Sequence, residues 1–300
     1  MTGPVHALRD ACPSLRDNEP LSRHTSFALG GPADLYADVN TLAELSALRR
    51  VTAENPLPVF FLGAGSNLLV ADAGIRGLVI HLQGEFRRIS FSGDIVHAGA
   101  GAWMPALSKQ TAAHGLSGIE SLVGVPGTVG GGLVMNAGTR DGVLGDVVTQ
   151  IERLTPSGDV ETLAAAQARF VYRHSALEGS WITGAVLRLK PEESSSIISR
   201  IEQYLQYRSR TQPLATNNCG SVFKNPSQGA AAMFVEQAGF KGKSVGGARV
   251  SERHANFIIN EKTATAADVR ALIESIQSAV RAKFGVTLET EVKFVGEWSR

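Results

Sequence analysis

Cysteine is scarce in this 300-residue chain. Cys12 and Cys219 lie far apart and in no metal-ligand spacing, which argues against both a disulfide framework and a zinc site. Net charge is equally scarce: 29 basic and 28 acidic side chains leave +1. No overall field draws the chain to nucleic acid or an anionic membrane, so any phosphate-bearing ligand has to be met locally. No apolar run approaches membrane-spanning length, and the opening Met-Thr-Gly-Pro-Val-His has no basic region leading into an apolar one. Internal repeats and low-complexity tracts are lacking too. The expectation is a cytoplasmic protein with no metal, no nucleic-acid or membrane partner and no obligate protein partner.

What is present is an ordinary globular composition, 43% hydrophobic and 19% charged, on a chain long enough for two or three compact units. Leu42, Leu45 and Leu48, behind a Thr41 to Glu44 capping box and ahead of Pro56, predict a short helix. Residues 59–62 then meet Gly63-Ala64-Gly65-Ser66-Asn67, and 77–82 supply another β-type run, so strand, glycine loop and strand are expected. Residues 95–102 repeat the theme before Pro105 opens a helix that stops at Gly115. Residues 125–132 and 135–138 read as glycine-punctuated loops, followed by β-type runs near 147–154 and 182–189.

The character changes from Ser194, with 191–196 read as a short Ser/Glu loop. Ile197, Ile198, Ile201 and Leu205 mark a helix that Pro213 ends, and a domain boundary is expected near residue 207. Val269, Leu272, Ile273, Ile276, Val280 and Phe284 form the clearest helix, opened by Thr265 and Asp268 and closed by Gly285. The tail, 286–295, alternates like one strand, with Val286, Leu288, Val292 and Phe294 on one face and Glu289, Glu291 and Lys293 on the other.

Gly63 to Leu68 looks at first like a dinucleotide fingerprint. The third glycine is missing, however, and Leu68-Leu69-Val70 follows in place of a helix, so the Rossmann reading is weak. Any one such loop is explained as well by a tight turn. Thirty-two glycines, clustered at 63–65, 99–101, 127–132 and 138, together suggest backbone approaching a large flat ligand at several points. Side-chain-free residues let backbone N–H groups come close to a pyrophosphate, and Ser66 and Asn67 add side-chain donors. A flavin with its diphosphate fits that description.

A specific resemblance follows from Arg23-His-Thr-Ser-Phe-Ala-Leu-Gly-Gly-Pro32, Leu62-Gly-Ala-Gly-Ser-Asn-Leu-Leu69, Gly124-Val-Pro-Gly-Thr-Val-Gly-Gly131 and Asn136-Ala-Gly138. In order and spacing, from about residue 19 to 296, these resemble the UDP-N-acetylenolpyruvoylglucosamine reductase family. The resemblance implies an α+β vanillyl-alcohol-oxidase/PCMH-type FAD-binding fold of two subdomains plus a smaller α+β substrate-binding domain. The corresponding division is 1–83, 84–206 and 207–300. It further implies non-covalent FAD, with NADPH as co-substrate and UDP-N-acetylglucosamine enolpyruvate as substrate. Thr25, Gly30, Gly31, Gly63, Ala64, Gly65, Ser66, Asn67, Leu68, Pro126, Gly127, Val129, Gly130, Gly131 and Gly138 would line the FAD, although Leu68, Pro126 and Val129 fit a packing role equally well. The stretch 189–208 offers no separate tyrosine-bearing loop, and Gln212 stands where a longer subgroup has lysine, so the chain resembles the shorter subgroup.

Three further segments match the family's catalytic ones: Tyr172-Arg-His-Ser175, Gly220-Ser-Val-Phe-Lys-Asn-Pro226 and Leu288-Glu-Thr-Glu-Val-Lys293. They supply a permanent cation, a hydroxyl and a carboxylate. Hydride addition to a double bond conjugated to a carboxylate builds negative charge that an arginine fork can meet, which is the role expected of Arg173. Ser221 is the expected proton donor. Glu291, if protonated, would hydrogen-bond the enolate oxygens; the residues alone do not separate it from Glu289, and only the resemblance selects it. Tyr172, Lys224, Asn225 and His254 are expected near the substrate, with Asn256 beside His254, and Cys219 is read as a small packing residue. Competing readings are an oxidase or dehydrogenase of the same fold acting on a sugar or alcohol, and a flavin- or nucleotide-binding module without catalysis.

Overall fold

The computed structural model describes residues 4–298 and divides the chain into two compact units. The first comprises 1–17, 35–63 and 77–207; the second comprises 18–34, 64–76 and 208–300. Helices are numbered in chain order: α1 Pro4–Ala11, α2 Leu42–Glu54, α3 Met104–Ala113, α4 Val129–Met135, α5 Ser194–Thr211, α6 Ala231–Gln237 and α7 Ala266–Phe284. Among the described residues no helix is long and apolar enough to cross a membrane.

The first unit is built on a five-stranded antiparallel sheet in the order Val160–Ala164, Val148–Leu154, Trp181–Arg188, Ile95–Gly99, Ile89–Ser92. Its central strand, Trp181–Arg188, is buried at every position but the last. That explains why the strand reads as a continuous apolar run rather than an alternating one. A four-stranded sheet orders Arg16–Pro20, Pro32–Val39, Ile75–Leu82 and Val59–Leu62, the last two parallel. One apolar core gathers Leu45 and Leu48 of α2, Leu107 of α3, Val129 and Leu133 of α4, and Ile151 and Leu187 of the larger sheet.

α2 starts as its sequence requires: the Thr41 hydroxyl accepts from the Glu44 amide, and the Glu44 carboxylate accepts from the Thr41 amide. α5 is fastened to the first unit by Arg200. Its guanidinium meets both oxygens of Glu192 at 2.7 Å and Glu120 at 2.8 Å. Burial pushes the Glu120 carboxyl up, but bonds from the Gly118 amide, Arg200 and Ser117 outweigh it and hold the group below its ordinary range.

In the second unit α7 is the main core helix. Val269, Leu272, Ile273, Ile276 and Val280 are buried along one stripe, each such side chain contributing about 1.5–3 kcal/mol. Its start is capped twice. Thr265 and Asp268 form a capping box, and both Asp72 carboxylate oxygens accept from the Ala266 and Ala267 amides at 2.8 and 3.0 Å. Gly285 ends it at φ +68. Beside it lie α6 and an antiparallel sheet of Ser244–Val245, Ala248–Val250 and Ile258–Asn260.

Three expectations need correction. The segment 125–132 is not loop throughout, since α4 begins at Val129; Thr128 caps it and tertiary packing of Val129 and Leu133 overrides three consecutive glycines. Helix α5 begins at Ser194, inside the expected Ser/Glu loop. The tail is not one strand: only Lys293–Val295 is extended in a ladder, pairing in parallel with Leu68–Val70. Val286, Leu288 and Val292 are buried as their alternation implies, but the Glu291 and Val292 amides both turn to the Val222 carbonyl. Thr290 makes one isolated antiparallel bridge to Phe223, and the bend at 291–292 separates it from the ladder of Lys293–Val295. Burial period alone does not distinguish a strand from a loop draped over a core.

Candidate active site

In the second unit, the glycine loop and the Thr25 segment close on each other through backbone. The Ser26 amide donates to the Gly65 carbonyl at 3.1 Å, and a Cβ on Gly65, at φ +60, would stand 2.1 Å from the His24 carbonyl oxygen. Thr25 is buried and its hydroxyl donates to the Leu29 carbonyl at 2.7 Å. Gly30, at φ +122, and Gly31 pass against Val70 and the Asp72 carbonyl. Ala64 and Ser66 are half-buried, as is Leu68, which begins the strand paired with Lys293–Val295. Asn67 Nδ2 donates to the Glu291 carbonyl at 3.1 Å, while the Asn67 backbone carbonyl accepts from the Lys293 amide at 3.0 Å. The loop expected at a cofactor is therefore stitched to the segment carrying the expected carboxylate.

Ser221 and Glu291 also come together in this unit. Ser221 follows Gly220, which is at φ +79 and whose amide donates to Asn218 Oδ1 at 2.9 Å. The next carbonyl, Val222, accepts from the Glu291 amide at 2.7 Å. Asn256 locks the same turn: its Oδ1 accepts from the Phe223 amide and its Nδ2 donates to the Phe223 carbonyl. The structure separates the two acidic candidates. Glu289 is exposed and pairs with Lys224 at 3.3 Å, whereas Glu291 is half-buried. Cys219 is buried, which pushes its thiol far above the ordinary range with Glu291 adding to the effect, so it is no nucleophile at neutral pH.

Asn225 is spent locally, its Oδ1 accepting from the Ala231 amide at the start of α6. His254 packs edge-on against Phe257, and burial holds its imidazole below the ordinary value, with Lys241 acting in the same direction. Neutral histidine is thereby favoured.

In the first unit, Gly63 lies against Thr128, whose hydroxyl would be 2.6 Å from an added Cβ. Pro126 is exposed, and the Gly127 carbonyl accepts from the Met104 amide. Val129 is fully buried and its amide donates to Ala102; the Gly130 amide donates to Ala100. Gly131 differs from all of these. It is exposed, and an added Cβ would meet only the Thr128 hydroxyl, at 3.6 Å. No packing within the chain accounts for glycine there, and a helical glycine costs about 1 kcal/mol relative to alanine. Open space over a side-chain-free backbone is what close approach of a nucleotide cofactor needs, so the residues present fit FAD.

Arg173 sits at the tip of a two-residue turn. Val171 and His174 exchange backbone bonds at 3.0 and 3.3 Å, and Arg173 itself is left-handed at φ +56. Such a conformation is strained for a non-glycine residue and has to be held by its surroundings. Its Nη2 donates to the Gly138 carbonyl at 2.9 Å, and the guanidinium lies 5.0 Å from the ring centre of exposed Tyr172. Sequence reasoning quoted Asn136 and Ser175 within motifs but gave them no role; both hold this turn. The buried Ser175 hydroxyl donates to the Val134 carbonyl, and Asn136 Nδ2 donates to Val171. The available signal was an asparagine at a helix end, where its tolerance of the left-handed region is useful.

Known proteins match both units. A model of an FAD-binding domain matches residues 33–164, and one of the UDP-N-acetylenolpyruvoylglucosamine reductase C-terminal domain matches 212–295. UDP-N-acetylenolpyruvoylglucosamine reductase 2 of Symbiobacterium thermophilum is 46% identical over 94% of this chain and 92% of its own length. The Moorella thermoacetica reductase is 46% identical over 93% of each. The crystal structure of the Thermus caldophilus reductase superposes with a TM-score of 0.82 at 35% identity, covering 93% of this chain and 99% of that one. A Phl p 4 variant, a glucose oxidase, reaches a TM-score of 0.50 at 10% identity over 63% of this chain and 44% of its own, a likeness of fold alone. The class defined by fold and site is thus an FAD-dependent oxidoreductase on an α+β vanillyl-alcohol-oxidase/PCMH-type scaffold. Within that class, the chain belongs to the UDP-N-acetylenolpyruvoylglucosamine reductase family.

Proposed function

We propose that this protein reduces the enolpyruvyl ether of UDP-N-acetylglucosamine enolpyruvate to UDP-N-acetylmuramate, a step of peptidoglycan precursor synthesis, with FAD as cofactor and NADPH as co-substrate in the cytoplasm. The observation that carries the reading is the Ser221 turn held against Glu291 through the Val222 carbonyl, in a chain matched by an FAD-binding domain and by the family's own C-terminal domain. By role, residues 1–83 and 84–206 would supply the two FAD-binding subdomains and 207–300 the substrate domain, although 18–34 and 64–76 fall in the same compact unit as 208–300.

Gly63, Pro126, Gly127, Val129, Gly130, Gly131 and Gly138 of the first unit, and Thr25, Gly30, Gly31, Ala64, Gly65, Ser66, Asn67 and Leu68 of the second, are the residues that would hold the cofactor. The chemistry FAD supplies when bound is two-electron transfer from NADPH to the methylene carbon of the substrate. Arg173 meets the substrate carboxylate and the charge that builds on it as hydride arrives. Glu291, protonated, donates a hydrogen bond to the enolate oxygens. Ser221 gives its proton to the adjacent carbon, which the developing charge makes strongly basic, and regains one from solvent. Tyr172, Lys224, Asn225 and His254 flank the bound sugar nucleotide.

Replacing Ser221→Ala separates the two half-reactions. NADPH should still bleach the flavin at the wild-type rate, while product formation falls by at least ~10²-fold. Equal slowing of both halves, seen by anaerobic stopped-flow absorbance, would remove Ser221 from its role.

A further inference from the structure

Asn136 closes α4 in the left-handed region at φ +42 and is 5% exposed. Glycine would meet that backbone geometry with less strain. The side chain explains why asparagine stands there instead, because both ends of its amide are used. Oδ1 accepts from the Gly145 amide at 3.0 Å, and Nδ2 donates to the Val171 carbonyl at 3.0 Å. Val171 opens the two-residue turn whose tip is Arg173, and its carbonyl also accepts from the His174 amide that closes the turn. Two residues further on, Gly138 accepts from Arg173 itself. A turn this short carries a long cation on a strained residue and has little internal structure to resist pivoting.

We propose that Asn136 is a positioning residue for Arg173: through the Val171 carbonyl it fixes the base of the turn and so aims the guanidinium. The inference rests on Arg173 being the cation that meets the substrate carboxylate. An amide is needed because one group must accept from Gly145 while the other donates to Val171. Aspartate keeps the first bond and sets an oxygen against the second carbonyl; glycine keeps the backbone and loses both.

The test is a mutant cycle in the holoenzyme with Asn136→Gly, Arg173→Ala and the double variant. Asn136→Gly should lower kcat for the sugar-nucleotide substrate by ~10-fold or more with KM within ~3-fold, as loss of orientation does. Flavin content and bleaching by NADPH should stay at wild-type levels. The double variant should be no slower than Arg173→Ala alone, since Asn136 acts only through the arginine. Asn136→Asp should match Asn136→Gly and carries the same cycle if the glycine variant does not fold. In the cofactor-free protein, the Val171 and His174 amides should exchange with deuterium at least ~10-fold faster in either variant.

Multiplying losses in the double variant, an effect confined to KM, full activity of Asn136→Asp, or unchanged exchange would each overturn the proposal. Wild-type turnover by Arg173→Ala would bring down the cation assignment together with it. An impaired Arg173→Ala whose loss Asn136→Gly multiplies brings down the positioning role alone.

Discussion

Two glycine-rich regions of this chain look alike on paper, but one of them holds a glycine of a different kind. In the second unit, Gly31, Gly65 and Gly74 face backbone: added Cβ atoms would lie 2.1, 2.1 and 1.9 Å from the carbonyl oxygens of Asp72, His24 and Pro32. In the first unit, Gly131 faces nothing closer than a hydroxyl at 3.6 Å. The former glycines are required so that two stretches of chain can touch. The latter is unexplained by packing within the chain and is the position the proposed cofactor would explain. A glycine therefore signals a ligand only when the space beside it is empty.

That contrast can be broken experimentally, beginning with its most severe consequence. Gly65→Ala combines a backbone clash with φ +60 and should cost at least ~3 kcal/mol, seen as loss of folded cofactor-free protein in urea titration. A stable Gly65→Ala protein impaired only in flavin uptake would erase the distinction. Gly131→Ala should behave in the opposite way. Its cofactor-free form should be as stable as wild type or gain up to ~1 kcal/mol, while FAD affinity, measured by fluorescence quenching on reconstitution, should drop ~10-fold or more. Gly220 sharpens the comparison as an intermediate case. No atom lies within 4 Å of an added Cβ, yet its φ is +79. Gly220→Ala should therefore cost only ~1–2 kcal/mol of backbone strain and leave FAD affinity unchanged.

Much of the architecture was legible in the residues because its signals are local. α2 and α7 announce themselves by capping boxes and periodic apolar residues, and both begin where those boxes place them. The strands Val148–Leu154 and Trp181–Arg188 were equally readable. α1 and the strands Arg16–Pro20 and Pro32–Val39 went unread. Arg16–Pro20 is largely polar and exposed, so it owes its conformation to pairing within a sheet rather than to its own pattern. α4 was hidden by its glycines, which carry no helical preference. The choice of Glu291 over Glu289 was invisible to spacing, because both flank the bridged Thr290 and differ only in burial, which distant residues set.

What the residues determine by themselves is chemistry and local geometry: which side chains can donate protons or carry charge, where helices start, and where the backbone can adopt positive φ. These depend on neighbours a few positions away. Tertiary structure alone decided which glycines are closed and which open, which of the two glutamates is half-buried, and that Asn136 bonds the Arg173 turn. Each of those depends on atoms brought from distant parts of the chain, and no local pattern encodes the distance between them.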